Sequence, residues 1–373
     1  MSDPADILDA AFQRATINLN HSLVADSRIR DNVEYVAGNV ANKAGVRLLM
    51  ACLLAKIHNP SVDVRKPYTK IGGVDSFSGR KYDENYVTDF INLHSLPCNS
   101  TSAFLTPAFR NRNAPLVPGL ELEGRPAQLY VDVLQLLDDV HHKRVEPESL
   151  LAEIIRWLLI NRNEQQQRIE SLLRVLRTTQ GAIPLSSEAI VSLVEKHMTL
   201  KGTSRLPVLI VAAAYQAAGP YLGERTLPLQ AHNAADIQTG ALGDVEIMLA
   251  DDSQVVTSYE MKDRRVSRGD IDRALQKLEK SKIRVDNYIF VTTDRIDENV
   301  QEYARSLYAQ TDGIEFIVLD CIGFLRHYLH LFHRHRAEFL EAYQSLILAE
   351  PSSSVSQAVK EAFLSMRQVA EEG

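Results

Sequence analysis

Apolar positions at spacings of three and four dominate the first sixty residues. "ADILDAAFQRATINLNHSL" and "VEYVAGNVANKAGVRLLMACLLAKIHN" each predict a helix with one face on a core, the second ending before Pro60. The rhythm fails from Ser61 to about Pro126, where Gly, Pro, Asn and Ser interrupt "KIGGVDSFSGRKYDENYV" and "FLTPAFRNRNAPLVPG". A stretch of that length is too long for an idle connection, and its aromatic and branched side chains predict an ordered, functional segment. Helical spacing returns in "AQLYVDVLQLLDDVHHKR", "PESLLAEIIRWLLINRNEQQQRIESLLRVLRTT" and "SEAIVSLVEKHMTL", the last capped by Ser187.

Near Lys201 the pattern changes. "LPVLIVAAAYQAAGPYLGE" is apolar on all sides and predicts a buried helix ending at Glu224. Two strands of period two follow, Val245–Leu249 and Val255–Lys262. A basic helix, the strand "NYIFVTT", the helix "NVQEYARSLYAQ" and the strand "IEFIVLD" come next. Strands alternating with helices predict an α/β (α+β) domain with a mixed central sheet over residues 201–373, ending in helices. Residues 1–200 form a mainly helical N-terminal domain in this reading, and no internal repeat is visible.

The two strands carry the candidate chemistry. Val245, Ile247 and Leu249 make the more apolar row of the first, and Val255, Thr257, Tyr259 and Met261 that of the second. For both rows to face one core, odd residues must oppose odd ones, which requires a turn about Asp252 and sets Asp244 across from Glu260. Opposed carboxylates about 5 Å apart repel unless a cation separates them. Mg²⁺ suits the pair, being a hard ion that accepts two carboxylates together with phosphate oxygens and retained waters. Lys262 shares the face of Glu260 and is placed to orient an attacking water or to stabilise charge on phosphorus. The expectation is hydrolysis of a nucleic-acid backbone.

Charge sharpens that expectation. The 373 residues carry a formal net charge of −7, yet Lys262 to Asp286 holds nine Lys and Arg against five Asp and Glu. A local reversal of sign beside the acid pair fits a phosphate backbone. Arg264, Arg265, Arg268 and Arg273 are the candidate DNA contacts, with Lys277 and Lys280 extending the track. Arg80, Lys81, Arg110 and Arg112, in the loops around Asp75 to Asn85 and Arg110 to Asn113, are candidates for reading bases. These make the span 61–126 the expected recognition region.

Asp244, the fifteen residues after it and Glu260-Met261-Lys262 on a hairpin, with a buried helix before and further strands after, resemble the PD-(D/E)xK nuclease superfamily. Gly243 stands where that pattern has proline. "YDENYV", "FLTPAFRNRNAPL", "GDVEI" and the basic run are similar to the SacI-type type II restriction endonucleases. The resemblance implies a two-domain, magnesium-dependent enzyme that cuts double-stranded DNA at a specific short site, with Asp244 and Glu260 binding Mg²⁺ and Lys262 assisting catalysis. It also brings in Glu224, since an acid from the helix before the hairpin often joins the metal site in that superfamily.

A palindromic site calls for a homodimer, and a cognate DNA methyltransferase would act separately. Two alternatives share the core: a structure-selective or repair nuclease, and a non-catalytic DNA-binding module. His232, Asn233 and Asp236 either line the site or form a polar turn. The spacing of His327, His330, His333 and His335 spreads them round a helix and argues against zinc. Cys52, Cys98 and Cys321 are too few and too far apart for a disulfide framework. No apolar run approaches the roughly 20 residues that span a bilayer, and the N-terminus lacks signal-peptide features, so a cytoplasmic location is expected.

Overall fold

Helices form at the N-terminus where the periodicity predicts them, with one interruption. The computed structural model describes residues 3–39, 42–99, 101–178, 184–229, 241–252, 254–281 and 283–372. Its two compact units are Met1–Arg168 and Ile169–Gly373. In the first, α1 (Pro4–Ile17) and α2 (Ser27–Gly38) begin at Asp3 and Asp26, whose carboxylates accept the Ala5 and Ile29 N–H groups. The second expected helix is two: the chain leaves helical geometry at Asn39 and resumes in α3 (Ala44–His58). Gly38 and Asn39, both weak helix formers, stand at the break. α3 packs closely on α6 (Ala127–His141): a Cβ on Gly45 would lie 2.7 Å from Leu129 Cδ2.

The span 61–126 is built of short helical pieces, chiefly α4 (Gly79–Tyr82), a π-helical turn (Asp83–Val87) and α5 (Thr88–Leu93). A buried ion pair holds them. Arg47 of α3 donates through Nε to Asp83 (2.6 Å), and its other nitrogens reach the Asn99 carbonyl and the Thr88 hydroxyl. Asp83 also accepts from the Ser102 hydroxyl (2.5 Å) and the Ala103 N–H (2.9 Å), so one carboxylate ties "YDENYV" to "FLTP". Among the described residues of this unit every regular element is helical.

α7 (Pro147–Thr178) runs out of the first unit into the second, where Ile169, Leu172, Leu173 and Leu176 join the second core. The division therefore falls at Arg168/Ile169, inside a continuous helix, rather than near Lys201. α8 (Ser187–Met198) also belongs to the second unit; its cap is Ser186, while the Ser187 hydroxyl donates to the Leu329 carbonyl (2.9 Å). α9 (Leu206–Leu222) is buried over most of its length and ends at Gly223 in the left-handed conformation.

Five strands then form one mixed sheet in the order β1 (Glu224–Thr226), β2 (Val245–Leu249), β3 (Val255–Lys262), β4 (Asn287–Thr292), β5 (Glu315–Asp320). β1–β2–β3 pair antiparallel and β3–β4–β5 parallel. α10 (Arg268–Ser281) and α11 (Glu298–Ser306) make the two crossovers. They cover one face of the sheet, with Tyr288, Phe290, Phe316 and Val318 beneath them. The other face, with Val245, Ile247, Tyr259 and Val291, packs under α8, α9, α12 (Cys321–Leu331), α13 (Arg336–Ala349) and α14 (Gln357–Glu372). The result is an α+β architecture with helices on both faces of the sheet. Among the described residues no helix is long and apolar enough to cross a membrane.

Candidate active site

The hairpin register decides which side chains meet. Val245 pairs with Tyr259, Glu246 with Ser258 and Ile247 with Thr257, odd with odd as the apolar rows require. Past Ile247 the register slips, Met248 pairing with Val255, and Val256 is the extra residue of a bulge. The tip therefore does not turn symmetrically about Asp252; the bulge supplies the odd register at the other end. Val255 is turned toward the α10–α11 face instead of joining Thr257 and Tyr259 in one row.

Asp244 lies immediately before β2, drawn to the end of β3 by two bonds. Its N–H donates to the Tyr259 carbonyl (2.7 Å), and its Oδ2 accepts the Met261 N–H (2.7 Å), from the residue between Glu260 and Lys262. Gly243 makes this approach possible. A Cβ there would sit 2.4 Å from the Tyr259 carbonyl oxygen and 2.5 Å from Ser258 Oγ, and proline would carry one as surely as alanine. The departure from the superfamily pattern thus has a steric reason in this chain.

Glu260 and Lys262 lie on the sheet face that α10 and α11 cover, in parallel register with Phe290 and Thr292. Lys262 Nζ is 2.5 Å from Glu260 Oε1 and 4.0 Å from Asp270 Oδ1. The other oxygen of Glu260 accepts from Tyr288, 2.5 Å away. Burial pushes the Asp244 carboxyl up from its ordinary value; the Met261 N–H opposes this, Glu260 adds to it, and Lys262 and Arg205 oppose it. The half-buried Asp244 carboxylate thus holds its charge at a cost that a hard divalent cation would relieve. Among the described residues no three His, Cys, Asp or Glu side chains converge as a cation cage. Asp244 and Glu260 would supply two ligands and leave the remaining positions to waters and phosphate oxygens, the arrangement magnesium favours.

Glu224 stands elsewhere. It opens β1 rather than ending α9, and it pairs with Leu249, at the end of β2 away from Asp244, roughly 16 Å along the strand. Opposed residues share a face, so Glu224 sides with the odd row while Glu260 lies on the even one. It is not brought to the acid pair. Tyr215 and Tyr259, whose hydroxyls meet at 2.9 Å, lie on its side of the sheet, and burial raises its carboxyl.

The basic run is ordered by Asp270, 1% exposed. Asp270 receives Arg264 bidentately (2.9 and 2.7 Å), Arg273 (2.5 Å) and both the N–H and hydroxyl of Ser267 (2.9 and 2.7 Å). Burial alone would raise its carboxyl, but these donors hold it well below the usual carboxylate range. At the start of α10 the Asp270 carboxylate thus returns to the Ser267 N–H, the carboxylate half of a capping box, while the Asp270 N–H donates to the Ser267 carbonyl (3.0 Å). Arg264 nevertheless keeps about half of its side chain exposed, and its carbonyl accepts from Thr292 (2.8 Å). Arg265 reaches toward Asp294 and Asp297, and Arg268 lies over the Tyr303 ring.

In the first unit Arg80 pairs with Glu84 (2.7 Å), Lys81 and Arg110 are exposed, and half-buried Arg112 donates to the Ala108 carbonyl (2.5 Å). His232, Asn233 and Asp236 lie outside the described residues. His330 bonds Glu188 (2.8 Å), His335 stacks on Tyr221, and His327 lines an apolar hollow with Phe324 and Leu331.

Three contributors escaped the sequence reading: Tyr288, Asp270 and Arg205, the last buried at the start of α9 against Glu350 (2.9 Å). The Ser-x-x-Asp spacing of a capping box marked Asp270; nothing in "NYIFVTT" set Tyr288 apart from an ordinary strand tyrosine.

No curated protein matches the chain. Residues 184–293, from α8 through β4, match the family model described as the SacI restriction endonuclease C-terminal domain. The match takes in Asp244, Glu260, Lys262 and Tyr288, and it supports a restriction endonuclease, hence an enzyme that acts on DNA. The likeness to the SacI-type restriction endonucleases, drawn from the motifs, therefore holds over the segment that carries the acid pair and its lysine.

Proposed function

We propose that this protein is a type II restriction endonuclease with a PD-(D/E)xK core that hydrolyses phosphodiester bonds of double-stranded DNA at a specific short site, with Mg²⁺ as cofactor. The observation that carries the reading is the bond from the Met261 N–H to Asp244 Oδ2, which brings the aspartate beside the Glu260–Lys262 pair. Asp244 and Glu260 would hold the cation. When bound, Mg²⁺ supplies a polarised phosphodiester and a more acidic water. Lys262, held by Glu260, orients that water or meets the charge that develops on phosphorus. Arg264, fixed by Asp270 yet open to solvent, and its neighbours Arg265, Arg268 and Arg273 take the flanking phosphates. Arg80, Lys81, Arg110 and Arg112 remain the candidates for base reading. A homodimer would match a two-fold symmetric site, and a methyltransferase acting on the same site would protect the host DNA.

The test is incubation with unmethylated phage DNA and Mg²⁺, an EDTA control, and sequencing of fragment ends. A common sequence at every end is the expected result; heterogeneous ends would support a structure-selective nuclease, and intact DNA at all concentrations a binding module. Lys262→Ala is expected to abolish cleavage while leaving DNA affinity largely unchanged. Full activity in that variant would remove Lys262 from the mechanism.

A further inference from the structure

Tyr288 is fully buried on β4, yet its hydroxyl touches both arms of the site. It lies 2.5 Å from Glu260 Oε2 and 2.8 Å from the Leu242 carbonyl, two residues before Asp244. The Leu242 N–H is held in turn by Glu246 Oε1 (2.7 Å), so the backbone leading to Asp244 is gripped on both sides. A phenol has one proton for these two acceptors. Placed between them, it can turn that proton to either without leaving itself unsatisfied.

We propose that Tyr288 is a positioning residue for the acid pair: its hydroxyl fixes Glu260 relative to the Leu242–Asp244 arm and, when Glu260 turns toward a divalent cation, passes its hydrogen bond to the Leu242 carbonyl. This rests on reading Asp244 and Glu260 as a magnesium pair. Glu260 is clasped by Lys262 on one oxygen and Tyr288 on the other. Each oxygen of Glu260 keeps a lone pair for a cation beside these bonds, and Tyr288 is the partner that has a second acceptor already within hydrogen-bond distance when Glu260 turns, whereas Asp270 stands 4.0 Å from Lys262. Groups that orient a metal's ligands through hydrogen bonds typically change metal affinity or activity 10–100-fold when removed.

Tyr288→Phe deletes one oxygen and keeps the ring. Calorimetry with Mg²⁺ is expected to give affinity at least about 10-fold weaker than wild type, with the Mg²⁺ concentration for half-maximal cleavage rising in parallel and DNA affinity without metal unchanged. A folded variant with wild-type Mg²⁺ affinity and cleavage would overturn the proposal, because a hydroxyl that merely satisfies the Leu242 carbonyl would alter melting temperature and not metal binding. The wild-type protein supplies a measurement independent of that variant's folding. Mg²⁺ should change the near-ultraviolet tyrosine spectrum as the hydroxyl exchanges acceptors, and the change should vanish in Glu260→Gln. Mg²⁺ binding with no tyrosine signal would overturn the proposal. Failure of wild type to bind Mg²⁺ at all would instead overturn the magnesium reading beneath it.

Discussion

At the scale of the residue, the site depends on an atom that is absent. Gly243 lets the chain pass so close to β3 that Asp244 can use both its N–H and its carboxylate on that strand. Gly243→Ala would set a methyl group 2.4 Å from the Tyr259 carbonyl oxygen, backbone that cannot swing away like the end of a flexible side chain. Overpacking of this kind costs about 1–3 kcal/mol. The strain falls on the bonds that hold Asp244, so cleavage should drop by more than the loss of stability explains. The check compares rates at a temperature where circular dichroism shows the variant fully folded. Ser258→Ala in the same background should restore little, since removing the hydroxyl relieves one of the two clashes and leaves the carbonyl; full recovery would mean that Ser258 Oγ, not the backbone, sets the limit.

At the scale of the element, β2 and β3 were legible through the alternation of their rows, and β4 and β5 as short apolar runs between helical segments. The bulge was not, because Val255 and Val256 are both apolar and either could be the inserted residue. β1 was missed because Glu224–Thr226 is short, polar and continuous with α9. The unit boundary was illegible for a related reason: α7 carries an unbroken helical period across it. Asp244, Glu260 and Lys262 could be singled out from spacing as candidates, whereas the contacts of Tyr288 join residues 242, 260 and 288, and no local pattern encodes such a meeting. The span 61–126 was legible as ordered but not why. Its order comes from Asp83, whose three kinds of donor lie on α3, on Ser102 and on the backbone at Ala103. Asp83→Ala would leave the Arg47 guanidinium buried without its carboxylate, a loss of about 3–5 kcal/mol. A fall in melting temperature of roughly 10 °C is expected for a unit of this size. Hydrogen exchange should rise together in residues 78–93 and 99–105; loosening of one segment alone would show that Asp83 does not couple them.

At the scale of the whole molecule, charge and pH act through different groups. The formal charge of −7 coexists with a net positive stretch after Lys262, so DNA affinity should follow the local field while stability responds to buried titrating groups. The clearest of these is His197 on α8, fully buried in the second unit. Its Nε2 donates to the Val359 carbonyl (3.1 Å), which leaves Nδ1 to accept from the Tyr343 hydroxyl (3.1 Å), the pattern of a neutral ring. Burial lowers its pKa to about 4, against an ordinary value near 6.5. The unfolded chain therefore binds a proton between these values that the folded chain refuses. The neutral histidine's contribution is fully present above pH 6.5 and is lost as pH falls toward 4, in total about 3 kcal/mol. Between pH 7.5 and 5.0 the opening free energy of the most protected amides in α8 and α14, read by hydrogen exchange, should fall by about 2 kcal/mol through this group. His197→Gln keeps a donor and an acceptor without the titration, so it should flatten that dependence even though it lowers stability at pH 7.5. An unchanged slope in the variant would shift the acid sensitivity onto the other histidines and the carboxylates.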